Sequence, residues 1–382
     1  MRWSGNLSDF TRNSPPLRIL LLSCWTGALL APFAGITKAL WFAGGIALCA
    51  AILNILKHTG SPVRLSIPFS AESLSRREIP LSVAALVIAA ALPLGVGNYA
   101  LDVLILCGIY IILAIGLNVI VGFTGLLCLG FAAFYAIGAY SFALLNTKLA
   151  LGFWVCLPAA ALIAACAGLL VAIPSLRLKG DYLAIVTLGF GEIVRLVLNN
   201  WDSVTHGPNG IGGIGRPALF SITLDSLQSY YYVVLAAVAF CILIMRRVKY
   251  SGIGRAWMAI RENELAAASS GIDVTRYKTY AFVFGTFWAG IAGILYAAKM
   301  QFVSPESFTF MESVLILSMI ILGGLGSVYG AVIGACVLVI LPELLRDLQM
   351  YRMLILGIGL VLLMVFRPQG IISGVRNASA GR

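Results

Sequence analysis

Apolar residues in this chain come in unbroken runs as long as a membrane is thick, and no other feature limits the fold so strongly. A helix needs about 20 consecutive apolar residues to cross the hydrocarbon core of a bilayer, and such runs recur between residues 17 and 366. Their pattern is continuous, as in LSVAALVIAAA from Leu81 to Ala91. A membrane-spanning barrel strand would alternate apolar and polar residues over about ten positions, so the period excludes a barrel. The composition agrees: 60% of the 382 residues are hydrophobic and 11% are charged, against about 25% charged in a soluble domain. The chain reads as an all-α protein, a polytopic transmembrane helix bundle.

Windows bounded by charged or turn residues fall at 17–36, 38–56, 79–97, 100–121, 124–146, 152–173, 182–200, 229–245, 279–299, 311–323, 329–345 and 351–366, which predicts 10–12 membrane segments. The first follows Arg2, Arg12 and Arg18 as a signal peptide would, but no small-x-small cleavage site comes before the second, so it reads as an uncleaved anchor. Of the 26 Lys and Arg residues, nineteen fall in the loops of one side and six in those of the other, with Arg195 inside a segment. The positive-inside rule then places both termini in the cytoplasm. The same bias accounts for the net charge of +11, which in a soluble chain would raise nucleic-acid binding. No nucleic-acid partner is expected.

Three polar stretches interrupt the runs, at 57–78, 201–228 and 246–278. None reaches the 50 or so residues that a soluble module needs to bury its own core, so any energy-supplying domain must belong to another chain. A phosphate-binding G-x-x-x-x-G-K-[ST] loop is absent, because no Gly is followed by Lys. The chain is expected not to be an enzyme. A literal G-x-G-x-x-G does occur at Gly210, Gly212 and Gly215, but dinucleotide binding needs a strand before it and a helix after it. Here a helix-like run precedes and Arg216-Pro217 follows, so a tightly turned outer loop is expected. All eight cysteines lie in apolar runs without a C-x-x-C pair, and there are only two histidines, His58 and His206. Neither a disulfide framework nor a zinc site is supported.

Ionisable residues at membrane depth cost roughly 2.5–3.5 kcal/mol each on insertion scales and usually face a bundle interior. Glu192 and Arg195, three apart in DYLAIVTLGFGEIVRLVLNN, share a helix face and can pair. Gly189 and Gly191 just before them permit a break or a close backbone approach. The group reads either as the polar lining of a translocation path or as an ion pair that ties helices together. Asp102, Glu312 and Glu343 lie near segment ends, where interfacial solvation accounts for them, whereas Asn118 lies deeper, beside Gly116 and Gly122.

Glycines interrupt the apolar stretches at 121–140 and 323–335, the second carrying Gly326, Gly330 and Gly334 at four-residue spacing. This is a small-residue face for close helix packing, and discontinuous helices also point to a midplane pathway. In the loop 246–278, Trp257 to Ser270 has helical composition and Gly271 stands where a C-cap would. Met258, Ile260, Leu265, Ala266 and Ala267 suit an amphipathic helix that docks in another protein's groove, rimmed by Arg255, Arg261, Glu262 and Glu264. A helix lying on the membrane surface is the alternative.

With these residues in view, the chain resembles the permease subunits of bacterial ABC importers, in particular the LivM-type permeases of branched-chain amino-acid systems. The resemblance covers roughly residues 79–371, through IYIILAIGLNVIVGFTGLLCLGFAAFYAIGAY, RLKGDYLAIVTLGFGEIVRLVLNN, GPNGI, GRAWMAIRENELAAASSG and FVSPESFTFMESVLILSMIILGGLGSVYGAVIGA. It implies three regions: 1–78 as an N-terminal tail, two extra helices and a linker, 79–371 as the permease domain, and 372–382 as a cytoplasmic tail. It also implies that 246–278 is the coupling loop that meets the ATPase, through Arg255, Arg261, Glu262, Glu264, Ala266, Ala267 and Gly271. The general importer pattern is Glu-Ala-Ala, then three residues, then Gly. Here Glu264-Leu265-Ala266-Ala267 reaches Gly271 one residue late and the downstream Ile-x-Leu-Pro is missing.

The implied assembly is this chain beside a second homologous permease, two cytoplasmic ATP-binding subunits that hold ATP and magnesium, and a periplasmic binding protein, in the lipid of the bacterial inner membrane. No cofactor is expected on this chain. The implied cargo is leucine, isoleucine or valine. A urea or short-chain amide importer would use a similar subunit, and a self-sufficient channel or carrier, or a subunit that serves only assembly, are the readings of a different class.

Overall fold

The computed structural model describes residues 86–175 apart from 88 and 96, residues 181–344 apart from 220, 221, 224 and 225, and the isolated positions 357, 361 and 370–372. The expected segments 17–36, 38–56 and most of 351–366 lie outside them. The helices are α1 (Asn98–Leu117), α2 (Phe131–Leu149), α3 (Phe153–Ser175), α4 (Asp181–Asn200), α5 (Leu227–Lys249), α6 (Gly252–Glu262), α7 (Glu264–Ser269), α8 (Val274–Met300), α9 (Phe310–Gly323) and α10 (Val328–Leu344). Five stretches are long and apolar enough to cross a membrane: Asn98–Phe123, Phe153–Ile173, Tyr182–Asn200, Leu227–Lys249 and Val274–Met300. With the shorter apolar α9 and α10 they make an all-α polytopic membrane protein, as the run lengths predict.

Helices α1 and α8 form the centre, each with 78% of its apolar window buried, whereas α4 and α5 bury 22% and 28% of theirs. In water α4 and α5 would be unstable with so much apolar surface exposed; in lipid the outward Ile185, Ile193, Leu196, Phe240 and Leu243 need no cover. What holds the centre together is close backbone contact. A Cβ on Gly138 of α2 would stand 2.5 Å from the Cα of Gly290 in α8, and one on Gly290 would stand 2.8 Å from Ala164 of α3. Glycine at these crossings lets α2 and α3 lie directly on α8, where dispersion is the attraction available between helices in an apolar solvent.

Caps set the helix starts. Ser226, Ser251, Asn263 and Asp273 are the N-caps of α5, α6, α7 and α8, each accepting a backbone N–H of the first turn through its side-chain oxygen. Asn263 corrects the sequence reading at this point. The expected single helix from Trp257 to Ser270 is two helices, because the Oδ1 of Asn263 takes the N–H groups of Leu265 and Ala266, both at 3.0 Å, while its extended backbone (φ −159°, ψ 110°) turns the chain. Gly271 does end the second helix, in the left-handed region at φ 85°.

Helix α2 also begins later than the window at 124–146 suggests. After α1 the chain makes a π turn over Asn118–Phe123 and then runs irregularly through 124–130 before α2 starts. Non-local contacts hold that stretch: Leu129 N–H donates to Thr187 Oγ1 at 3.0 Å, and Ala132 N–H to Ser313 Oγ at 2.9 Å. The Cα of Gly130 sits so close to α4 that a Cβ there would overlap the carbonyl of Thr187.

Helices α9 and α10 form a hairpin. Gly330 and Gly334 face Gly323 and the Met319 carbonyl across it, and a Cβ at Gly334 would overlap that carbonyl. Gly326, expected to continue the same face, lies outside the helix in the connecting turn at φ 79°, where a side chain is strained whatever the space. Residues 370–372 return to this hairpin, Ile371 and Ile372 donating N–H bonds to the carbonyls of Leu322 and Gly323, both at 2.9 Å.

The glycines of 210–215 run into a short antiparallel pair. Strand β1 (Ile211–Gly212) pairs with β4 (Phe302–Val303), which follows α8, and β2 (Ala218–Leu219) pairs with β3 (Ile222–Thr223). The G-x-G-x-x-G residues run on into strand β2 and not directly into a helix, so their geometry is not that of a dinucleotide loop.

Close packing at the hairpin predicts a contrast. Gly334→Ala should lower the thermal midpoint of the purified protein, whereas Gly189→Ala, with nothing within 4 Å of the new methyl, should leave it unchanged or slightly higher because Ala is the better helix former. A thermal melt of both variants in detergent checks this, and equal behaviour would contradict it.

Candidate coupling and pathway site

Two discontinuities, the π turn that ends α1 and the turn between α9 and α10, meet beside the loop 246–278, the 250 loop. In the first, Asn118 is fully buried. Its Oδ1 accepts the N–H of Gly326 at 2.9 Å and its Nδ2 donates to the carbonyl of Ser327 at 3.1 Å. An amide satisfied on both sides in an apolar surrounding is a firm link, here joining α1 to the turn between α9 and α10. Gly122 makes the link feasible: a Cβ there would overlap Asn118 Oδ1 and stand 2.6 Å from Gly326 N.

The second element is the loop itself. Trp257, Ala256 and Ile260 of α6 are buried, and Trp257 Nε1 donates to the carbonyl of Tyr277 in α8 at 2.8 Å. Arg261 also points inward, where the sequence placed it on an outer rim. Its Nη1 donates to the carbonyl of Gly122. Burial pulls the guanidinium below its ordinary pKa, with the charge of Glu262 opposing, and neither effect discharges an arginine near neutrality. Glu264 is engaged too, its carboxylate 2.8 Å from Nζ of Lys278 in α8, a side chain only 6% exposed. Arg255 stays at the surface, on the carbonyl of Tyr250. Glu262, Ala266 and Gly271 remain exposed, Ala267 is buried, and Leu265 is 77% exposed.

The third element is α4. Arg195 Nε donates to Glu192 Oε2 at 3.0 Å, and the two side chains are 33% and 35% exposed. The helix is continuous through Gly189 and Gly191, and Gly191 faces the Cα of Gly130, 3.2 Å from where its Cβ would be. Glu192, Gly191, Gly130, Ser313 and Phe308 together line a small cleft between α4, α2 and α9. The ion pair therefore ties no second helix among the described residues, and Glu192 borders the cleft.

Sequence reasoning missed two polar contacts. Glu312, read as an interfacial residue, accepts a hydrogen bond from the Tyr110 hydroxyl of α1. Lys299 sits 3.1 Å from Asp102 with its side chain 6% exposed. A carboxylate opening a long apolar run is the signal for the first, since such a group needs a donor. A recess of about 670 Å³ between α3, α5 and α8 is almost wholly apolar, lined by residues such as Trp154, Phe240, Phe287 and Ile291. Among the described residues no group of three His, Cys, Asp or Glu side chains is placed to hold a metal ion.

Comparison with known proteins fits this geometry. Residues 99–364 match the family described as "Branched-chain amino acid transport system / permease component". The chain is 45% identical over 344 residues to the high-affinity branched-chain amino acid transport system permease protein LivM of Salmonella typhimurium, covering 84% of this chain and 80% of that one. It is 47% identical over 317 residues to LivM of Escherichia coli, covering 77% and 75%. It is also 27% identical over 285 residues to the permease protein LivH of Escherichia coli, covering 69% of this chain and 91% of that one. No solved structure matches significantly.

Proposed function

We infer the function of this chain from its family: it belongs to the permease components of branched-chain amino acid transport systems. It is the membrane-spanning subunit of an ATP-driven importer that moves leucine, isoleucine or valine across the inner membrane. The observation that carries this is the 45% identity to a LivM permease over 84% of the chain. Its similarity to LivH as well as LivM supports a second, homologous permease beside it. ATP and magnesium belong to two cytoplasmic subunits, and a periplasmic binding protein delivers the cargo and sets most of the specificity. The permease domain is 79–371, with both termini cytoplasmic.

Two surfaces carry the work. The exposed side of α6 and α7, with Met258 and Leu265, is the face for the ATPase. Glu192 and Arg195 line the path: a pair one-third exposed at membrane depth is tolerated where water or a polar partner meets it, not against lipid. A weak path serves transport, because the cargo must leave as readily as it enters, and alternating access needs only that ATP favour one of two bundle states.

Glu264→Arg is expected to abolish uptake while the chain still inserts. It sets a second cation against the buried Lys278, and loss of a buried charge's partner costs about 3–5 kcal/mol, less here because Glu264 itself is 41% exposed. Uptake assays on membranes with normal amounts of the chain check this, and normal transport contradicts it. The reading as a whole is tested by purifying the tagged chain from its native membrane and identifying what stays bound. A P-loop ATPase and a second permease are expected; recovery of the chain alone would refute the assembly.

A further inference from the structure

From the 250 loop, Arg261 reaches into the first helix discontinuity. Its Nη1 donates to the carbonyl of Gly122 in the π turn of α1. Its Cγ lies 3.4 Å from where a Cβ of Gly125 would be, and Nη1 lies 2.7 Å from where a Cβ of Gly326 would be. Two glycines, Gly125 from the break after α1 and Gly326 from the turn between α9 and α10, thus leave room for the Arg261 side chain, and Gly122 supplies the acceptor carbonyl. Gly125 and Gly326 are both left-handed, at φ 73° and 79°, so the socket is shaped by backbone that only glycine adopts readily. Asn118 joins the same two breaks from the other side.

We propose that Arg261 is a positioning residue that transmits displacement of the 250 loop to both helix breaks, and so couples the partner's ATP cycle to the opening of the path. The proposal rests on the reading of the loop as the ATPase contact. A charge-assisted bond from a half-buried guanidinium to a backbone carbonyl is strong and directional. Loop and π turn therefore move together, and Asn118 carries the movement on to the α9–α10 turn. Arg255, whose bond is local and exposed, has no such role.

The experiment uses the complete transporter in liposomes, wild type beside Arg261→Met and Arg261→Lys, and reads complex recovery, ATP hydrolysis and leucine moved per ATP. All three are expected to assemble. Arg261→Met should hydrolyse ATP at close to the wild-type basal rate yet move about tenfold less leucine per ATP. Arg261→Lys, which still donates to the Gly122 carbonyl, should recover most of the loss. Unchanged stoichiometry in Arg261→Met overturns the proposal, as does an equal defect in the Met and Lys variants, which would make the role one of packing. If Arg261→Met does not assemble, Gly326→Ala decides, because its methyl displaces the guanidinium: reduced leucine per ATP supports the proposal and wild-type stoichiometry overturns it. A wild-type complex that moves no leucine with ATP would instead refute the functional reading.

Discussion

Asn118→Leu should abolish uptake while leaving the chain in the membrane. Leucine fills similar volume, so the loss comes from polarity: the N–H of Gly326 would be left unpaired in a buried place, and the carbonyl of Ser327 would keep only its bond from the Ala331 N–H. The orphaned N–H costs about 1–3 kcal/mol, enough to separate the α9–α10 turn from the π turn. Asn118→Asp should also fail, since a carboxylate can still accept from Gly326 but cannot donate to Ser327, and it buries a charge. Immunoblots of membranes combined with leucine uptake check this. Wild-type uptake by Asn118→Leu would show that the link between the two breaks is dispensable.

Gly138→Leu should have the largest structural effect, loss of the folded protein. A Cβ there meets the Gly290 backbone at 2.5 Å, and a Cβ on Gly293 of α8 would overlap the Tyr135 carbonyl of α2, so no side chain can turn aside to make room. Overpacking of mobile side chains costs about 1–3 kcal/mol; a clash of backbone on backbone forces α2 off α8, one of the extensive helix pairings of the centre. The chain should be degraded, with Gly138→Ala intermediate. Pulse-chase labelling measures the half-life, and a wild-type half-life for Gly138→Leu would contradict the packing described.

The helices that stand alone in sequence were legible there. The windows 152–173 and 182–200 fall within two residues of α3 and α4, because run length in an apolar solvent decides them locally. The start of α2 was not legible. Leu126, Leu127 and Leu129 continue the apolar run, but the backbone that carries them is irregular and is held by Thr187, a contact 58 residues away. Hydropathy records burial, and a buried irregular stretch is as apolar as a helix.

The site divides in the same way. Glu192 and Arg195 pair as their spacing predicts, and Gly271 caps its helix. Arg261 could not be oriented, because its acceptor lies 139 residues away and a charged residue in a polar loop carries no sign of pointing inward. Asn263 was a missed local signal: an Asn before Glu-Leu-Ala-Ala is an N-cap pattern, and it splits a helix that composition alone joins. Gly326 shows the limit of spacing, since a four-residue repeat was read as one helix face although its first member lies in a turn.

The central claim is that this chain forms the path of an importer whose energy comes from ATP on other subunits. The most direct test is leucine uptake into liposomes holding the chain with its second permease and ATPase subunits, with binding protein and ATP each supplied or withheld. Uptake should require both. Leucine entering liposomes that contain the purified chain alone, down its gradient and without ATP, would contradict the claim and make Glu192 and Arg195 the site of a self-sufficient carrier.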